Sequence, residues 1–293
     1  MKTGFVTIIG RTNAGKSTLL NRILKKKVSI ATSKPQTTRN AIQGIYNDED
    51  SQIVFVDTPG LVNPHHSLDT FMKKEALSSL GGVDAVIYLL DSYLPFEEEV
   101  EIEMKSRLKT LECPLFIVFN KIDLATITKM EKSKKDYGEY FTPHKMIEIC
   151  CKDGFNIDEL INSIKEVLHD GDIYYPEGMI SNHPMSFLYA EIIREQLLLN
   201  LKHEVPHSAA VKIEKVERKS DTTHIYAKII VERDSQKAIV IGKKGDMITR
   251  IGKAARIELE NILKRKVNLK LLVTVEEDWR NSSRMLKELG YDD

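Results

Sequence analysis

Cysteine is scarce in this chain: three thiols in 293 residues, Cys113 and the adjacent pair Cys150 and Cys151. An odd count with two immediate neighbours offers no disulfide framework, so a reducing, cytoplasmic setting is expected. Long apolar runs are missing too. The stretch from Val83 to Leu90 is interrupted by Asp84 and falls far short of the roughly 20 residues that a bilayer demands. No secretory leader is expected, because the apolar run Phe5–Ile9 comes at once, without charged leader, apolar stretch and cleavage site. An excess of one charge is also lacking: 43 Lys and Arg balance 43 Asp and Glu. Taken over the whole chain, that balance argues against a polyanionic partner. There is no internal repeat and no low-complexity segment. What is there, 42% hydrophobic and 29% charged residues, is ordinary for a globular protein. The length suits one large domain and one smaller.

The balanced charge is unevenly placed. Residues 1–185 carry 22 basic and 26 acidic side chains, residues 186–293 carry 21 and 17, and the segment 235–270 holds 10 against 3. A local basic surface is how a neutral protein approaches a polyanion, although a solvated helix face has the same composition. From Phe5 to about Leu168, short apolar runs alternate with amphipathic stretches. Strands are expected at Phe5–Ile9, Ile42–Tyr46, Ile53–Val56, Ala85–Leu90, Leu115–Phe119 and Met146–Ile149. Helices are expected at Ser17–Leu24, Leu68–Leu80, Glu97–Leu111, Thr128–Tyr140 and Ile157–Leu168. That alternation predicts an α/β domain over residues 1–170, with a mainly parallel sheet and its ligand loops at the C-terminal strand ends. Residues 171–185, rich in turn formers, read as a linker. Residues 186–293 have a different order, helix, two strands, two helices, strand and a closing helical stretch from Trp279, which is an α+β arrangement.

Three strings in the first domain carry chemistry. Gly10-Arg11-Thr12-Asn13-Ala14-Gly15-Lys16-Ser17, with Thr18 after it, fits the phosphate-loop pattern between a strand and a helix. A Gly-rich strand-to-helix turn can be only a turn, but the terminal Gly-Lys-Ser points to a phosphate cradle. Backbone N–H groups and a helix N-terminus surround the phosphates. Lys16 would reach the β- and γ-phosphates and Ser17 would bind magnesium. Asp57-Thr58-Pro59-Gly60 ends a second apolar strand, where the carboxylate can hold magnesium through water and the Gly60 N–H can bond the γ-phosphate. Asn120-Lys121-Ile122-Asp123 ends a third, and its aspartate can accept from both the ring N–H and the exocyclic amine of guanine, a pairing that adenine cannot reproduce. In this order at three strand ends, the strings predict a guanine nucleotide, GTP or GDP.

In the second half, Gly242-Lys243-Lys244-Gly245 lies between a short helix and a long one, within the apolar frame Ile239 to Ile251. This matches the KH signature, whose loop clamps backbone nucleotides of single-stranded RNA. Lys243 and Lys244 would supply charge to phosphates, with Ile241 and Arg250 flanking them. A solvated helix–turn–helix is the plainer alternative.

Taken together the chain resembles the bacterial Era family of GTPases, a phosphate-loop GTPase domain followed by a type II KH domain. Beyond the motifs, Tyr174-Tyr175-Pro176, Phe187-Leu188, Ala190 to Glu195, Glu204 to Ser208, Trp279-Arg280 and Leu286 to Tyr291 carry the resemblance over essentially the whole chain. It implies that Thr38, with Thr37 as the neighbouring candidate, is the switch threonine that closes on magnesium. It places Cys150-Cys151-Lys152 where relatives read Ser-Ala-Lys against the base; a buried strand end would explain both cysteines as well. Leu61 stands where Ras-like enzymes carry the glutamine that orients water, so hydrolysis should be slow and otherwise arranged. Asn13 is then a candidate potassium ligand with a catalytic part alongside Lys16 and Thr38, or else a loop-stabilising side chain. Arg39, His65 and His66 are expected to be solvated in the switch loops. The resemblance further implies binding to the 3′ region of 16S rRNA, action in 30S subunit assembly, a monomer, and peripheral contact with the inner face of the membrane. A membrane-associated or tRNA-processing regulatory GTPase is the alternative.

Overall fold

The computed structural model describes residues 1–60, 64–96 and 102–291. They form two compact units, one of Met1–Ala31, Thr38–Asn63 and Met72–Asn182, the other of Thr32–Thr37, Pro64–Phe71 and His183–Asp293.

The first unit is built on a sheet of β1 (Lys2–Ile9), β2 (Ile42–Asn47), β3 (Ser51–Asp57), β4 (Ala85–Asp91), β5 (Leu115–Asn120), β6 (Lys145–Glu148) and β7 (His169–Asp170). The spatial order is β2-β3-β1-β4-β5-β6, with β7 beside β1. β1 runs parallel to β3 and β4, β4 to β5 and β5 to β6, while β2 and β7 are antiparallel to their neighbours. β3, β4 and β5 read as nearly unbroken apolar runs because helices cover both faces of a parallel sheet. The helices are α1 (Lys16–Leu24), α2 (Ser67–Ser78), α3 (Ile102–Lys109), α4 (Ile127–Tyr140) and α5 (Ile157–Val167). The helix expected from Glu97 is seen from Ile102 onward; residues 97–101 lie outside the described ones. α5 buries Ile157, Leu160, Ile161 and Ile164, the single stripe that a helix of 3.6 residues per turn presents to a core. Opposite, Tyr88, Leu90, Ile117 and Phe119 pack with Met104 and Leu108 of α3 and Met130 and Tyr137 of α4.

After β7 the chain is tied along the sheet edge. Gln52 Oε1 accepts from the backbone N–H groups of Tyr174 and Tyr175 at 2.7 and 2.9 Å. The Gln52 amide donates back to the Tyr175 carbonyl at 2.8 Å, and the Ile45 N–H donates to the Ile180 carbonyl at 3.0 Å. Turn-forming composition does not reveal such anchoring, because the bonds use backbone groups that every residue has.

In the second unit α6 (Met185–Asn200) precedes β8 (Ala210–Lys219), β9 (Thr222–Val231), α7 (Asp234–Ile241), α8 (Asp246–Leu263), β10 (Lys266–Val275) and α9 (Ser283–Glu288). β9 is central, antiparallel to β8 and parallel to β10. Ile192, Ile193 and Leu197 of α6 and Ile251, Ala255 and Leu259 of α8 pack on Ile225, Ala227 and Ile229 of β9. Trp279 is fully buried and its indole N–H donates to the Ser208 carbonyl at 2.8 Å. Arg280 closes a two-bond pair on Glu232 at 2.9 and 2.7 Å, fastening the end of the KH-like sheet.

Candidate nucleotide and RNA sites

The phosphate-loop string spans the turn from β1 to α1, and Asp57 and Asn120 are the last residues of β3 and β5. Because β1, β3 and β5 are parallel members of one sheet, all three strings emerge at the same edge. Gly15 has a φ of 103°, and a Cβ there would stand 2.3 Å from the Asn120 amide nitrogen, so only glycine fits. Asn120 is what crowds it: its Nδ2 donates to the Ala14 carbonyl at 2.8 Å and its Oδ1 accepts from the Cys151 N–H at 3.1 Å. One buried amide thus ties the phosphate loop to the loop that follows β6. Lys121 adds a second tie, donating to the Asn13 carbonyl at 2.7 Å and to Asp91 at 2.6 Å. Asn13 and Thr18 are exposed, Arg11 and Thr12 half-buried. Thr58 is buried, bonded to the Ile8 carbonyl at 2.8 Å, and the buried Pro59 and Gly60 follow, with Gly60 against Thr12.

Lys16 is buried, with its ammonium on the carbonyls of Gly10 and Arg11 at 2.8 and 3.0 Å. Ser17 Oγ lies 2.8 Å from Thr38 Oγ1, both buried. Thr37 instead turns its hydroxyl to the Lys34 carbonyl at 2.6 Å and to Thr32 at 2.8 Å. Of the two threonines, Thr38 is the one against Ser17. Asp57 is wholly buried; Oδ2 accepts from Ser29 at 3.0 Å, and Oδ1 has no hydrogen-bond partner. Burial pushes the Asp57 carboxyl above its ordinary pKa, opposed by the Lys16 charge and by the nearby hydroxyls of Ser17, Ser29 and Thr38. A buried carboxylate oxygen without a donor, beside two hydroxyls, is a set that fits a hard divalent cation such as magnesium, whose remaining ligands are water and phosphate. Ser17, Thr38 and Asp57 would hold such an ion, and its positive charge would offset that of the phosphates.

Asp123 and Lys152 are exposed and Ile122 half-buried. Cys150 Sγ lies 3.5 Å from Asp123 Oδ1, and both Cys150 and Cys151 are buried free thiols. Burial raises both thiols, Cys151 to about 12, so neither is a nucleophile at neutral pH. The Cys151 contact to Asn120 is made by its backbone N–H and does not depend on its side chain.

Several residues escape motif reading. Ser29, which bonds Asp57, sits in a loop held by Asn21, whose Oδ1 accepts from the N–H groups of Val28 and Ser29 at 2.8 and 3.1 Å. Arg22 donates from Nε to the Cys151 carbonyl at 2.9 Å and from Nη2 to that of Lys152. Asp91 could have been flagged, being an acid at the end of β4 in register with Asn120. Arg39, expected in solvent, is buried at 1% exposure, whereas His65 is exposed as expected and His66 half-buried. Leu61 lies outside the described residues.

In the second unit the loop Gly242–Gly245 joins α7 to α8. Gly242 has a φ of 77°, and a Cβ on it would meet Asp246 Oδ1 at 2.1 Å. Gly245, also at positive φ, faces open space. Lys243, Lys244 and Arg250 are exposed, and Ile241 packs half-buried on the domain core.

Two family models match: one described as a 50S ribosome-binding GTPase over residues 5–121, and a KH domain over residues 204–280. The GTPase Era of Clostridium botulinum (strain Eklund 17B / Type B) is 45% identical over 294 residues, covering 99% of this chain and 98% of the relative. That of Clostridium acetobutylicum is 44% identical over 290 residues with the same coverage. Among solved structures, a point variant of Aquifex aeolicus Era bound to GDP and aluminium fluoride superposes with a TM-score of 0.93 at 37% identity. An Era solved with MgGDPNP and nucleotides 1506–1542 of 16S ribosomal RNA reaches 0.95, also at 37% identity. Both superpositions cover 100% of either chain. With a nucleotide edge, a glycine-flanked lysine loop and full-length similarity of this order, the chain belongs to the family of the GTPase Era.

Proposed function

We propose that this GTPase couples guanine-nucleotide binding and slow, switch-type hydrolysis to binding of single-stranded RNA in the 3′ region of 16S rRNA, and so acts in assembly and maturation of the 30S ribosomal subunit. The observation that carries the proposal is the Gly242–Gly245 loop, which turns Lys243 and Lys244 outward beside a glycine facing open space. Its support from outside is the full-length similarity to an Era that was solved with that RNA.

At the nucleotide edge, residues 10–18 cradle the phosphates, with Lys16 on the β- and γ-phosphates and Ser17, Thr38 and Asp57 holding magnesium. Gly60 donates to the γ-phosphate, Asp123 reads guanine, and residues 150–152 close on the base. With leucine at position 61, potassium held by Asn13 supplies the charge that other GTPases take from an arginine. The exposed Asn13 side chain, at positive φ, supports that reading.

The protein works as a cytoplasmic monomer in this account. Peripheral contact with the inner membrane face is its family-derived part; among the described residues no helix is long and apolar enough to cross a membrane. Crosslinking in cells, followed by sequencing of the bound RNA, tests the proposal. Reads concentrated at the 3′ end of 16S rRNA are expected; transfer RNA or no RNA would overturn it.

A further inference from the structure

We propose that Arg22 is a positioning residue for base recognition, holding two consecutive peptide planes of the loop after β6 so that their N–H groups are aimed at the guanine carbonyl. The inference rests on the reading that sets residues 150–152 against the base.

Arg22 lies on α1, the helix that starts at Lys16 of the phosphate loop, and it belongs to the same compact unit as the loop after β6. Its Nε donates to the Cys151 carbonyl at 2.9 Å and its Nη2 to the Lys152 carbonyl. A trans peptide unit is planar, so its C=O and the N–H of the following residue point in opposite directions. The Cys151 carbonyl shares a plane with the Lys152 N–H, and the Lys152 carbonyl shares one with the Asp153 N–H. By gripping both carbonyls from one side, the guanidinium turns both N–H groups to the other. That other side is where the base would be read. Burial raises the Cys150 thiol, the N–H groups of Asp153 and Lys152 oppose the rise, and Cys150 Sγ stands 3.5 Å from Asp123 Oδ1. Both N–H groups thus face the side of the loop on which Asp123 lies.

Other bonds fix the neighbouring planes. The Cys150 N–H donates to the Phe155 carbonyl at 3.2 Å, and the Gly154 N–H donates to the Cys150 carbonyl at 2.9 Å. The Cys151 N–H donates to Asn120 Oδ1 at 3.1 Å. The two planes between these anchors are the ones that Arg22 holds. A planar guanidinium presents donors in a rigid fork, which suits it to two consecutive carbonyls. A loop that reads a carbonyl through its backbone discriminates only while its planes hold still, because hydrogen bonds weaken steeply with misalignment. Arg22 is exposed, so its removal opens no cavity in the core.

The test measures affinity for GTP, 6-thio-GTP and ITP in magnesium, for the full-length protein and for Arg22→Ala. Sulfur is the weaker acceptor, so the ratio of GTP to 6-thio-GTP reports the N–H contact to the base carbonyl. Inosine lacks the exocyclic amine, so the ratio of GTP to ITP reports the contact to Asp123. The wild type should prefer GTP to 6-thio-GTP about tenfold, the upper range of one hydrogen bond's net worth. Arg22→Ala should reduce that preference to about twofold, as misaligned donors no longer tell oxygen from sulfur, and leave the GTP-to-ITP ratio as it was. Loss of the arginine's charge weakens all three nucleotides alike and cancels in both ratios. A variant that keeps the full preference for GTP over 6-thio-GTP would show that the planes hold without Arg22 and would overturn the inference. So would a fall of both ratios together, which means a base site loosened as a whole. If the wild type takes 6-thio-GTP as well as GTP, the reading of residues 150–152 on the base fails, and the inference falls with it. Should Arg22→Ala fail to fold by circular dichroism, Arg22→Met, long but without a donor, carries the same comparison.

Discussion

The amide of Asn120 and the carbonyl of Ala14, 106 residues apart in the chain, share a buried hydrogen bond of 2.8 Å. The same side chain receives the Cys151 N–H, so the phosphate loop, the end of β5 and the loop after β6 are fastened through one residue. Asn120→Ala leaves a buried carbonyl and a buried N–H without partners, at about 1–3 kcal/mol each. GTP and GDP affinity should fall together by about tenfold or more, and the protein should melt earlier. Calorimetric titration with both nucleotides checks this; a loss confined to GTP would mean that Asn120 acts on the γ-phosphate rather than on the frame.

In the proposed function Asp123 reads the base. In Asp123→Asn the amide presents a donor where guanine presents another, so preference should move from guanosine toward xanthosine nucleotides. Competition binding with GTP and XTP is the check, and an equal loss of both with no gain for XTP would contradict the assigned pairing.

With leucine at position 61, the proposed potassium ligand Asn13 would make hydrolysis sensitive to the salt. Turnover of GTP should be faster in potassium than in sodium at equal ionic strength, and Asn13→Ala should abolish the difference. Identical rates in the two salts would remove potassium from the account.

A pH dependence follows from the turn between β2 and β3. Lys165 reaches Asp48 at 2.5 Å and Asp50 at 2.6 Å. Burial would raise the Asp48 carboxyl, but hydrogen bonds from Lys165, Ser51 and Tyr46 prevail and hold it well below the carboxylate range. A group whose pKa is lower in the folded state stabilises above its unfolded value, about 4, and loses that contribution as pH falls through the folded value. The wild type should therefore exceed Lys165→Met in urea midpoint at about pH 7, with the gap closing in acid below about pH 4. A gap that widens in acid would reverse the assigned sign.

Much of this was readable in the sequence because the nucleotide strings are local and sit at strand ends, where apolar runs stop. The strand and helix limits agree with expectation within a few residues for the same reason, since burial of β3, β4 and β5 enforces unbroken apolar runs. Residues that act through distant backbone groups were not readable. Ser29 has no motif, and Arg22 touches carbonyls 129 and 130 positions away. α6 shows the limit most clearly: Glu191, Arg194, Glu195 and Gln196 look like a polar face, yet all are buried. Glu191 pairs with Arg194 within the helix, but Arg194 also donates to carbonyls 158 and 157 positions away, which spacing within a helix does not disclose.

The central claim, a GTPase whose second domain grips RNA by its backbone, is tested most directly by filter binding of a short RNA from the 3′ end of 16S rRNA across a salt series. Replacing Lys243 and Lys244 by Ala should weaken binding and flatten the log–log salt slope by ~1.4, about 0.7 for each lost phosphate contact. Gly245→Asp should do more damage, because it places a side chain and a negative charge in the open space beside the loop. GTP affinity should be unchanged in both. Normal RNA affinity and an unaltered slope in variants that fold, as judged by circular dichroism, would contradict the account and leave a GTPase whose second domain has some other partner.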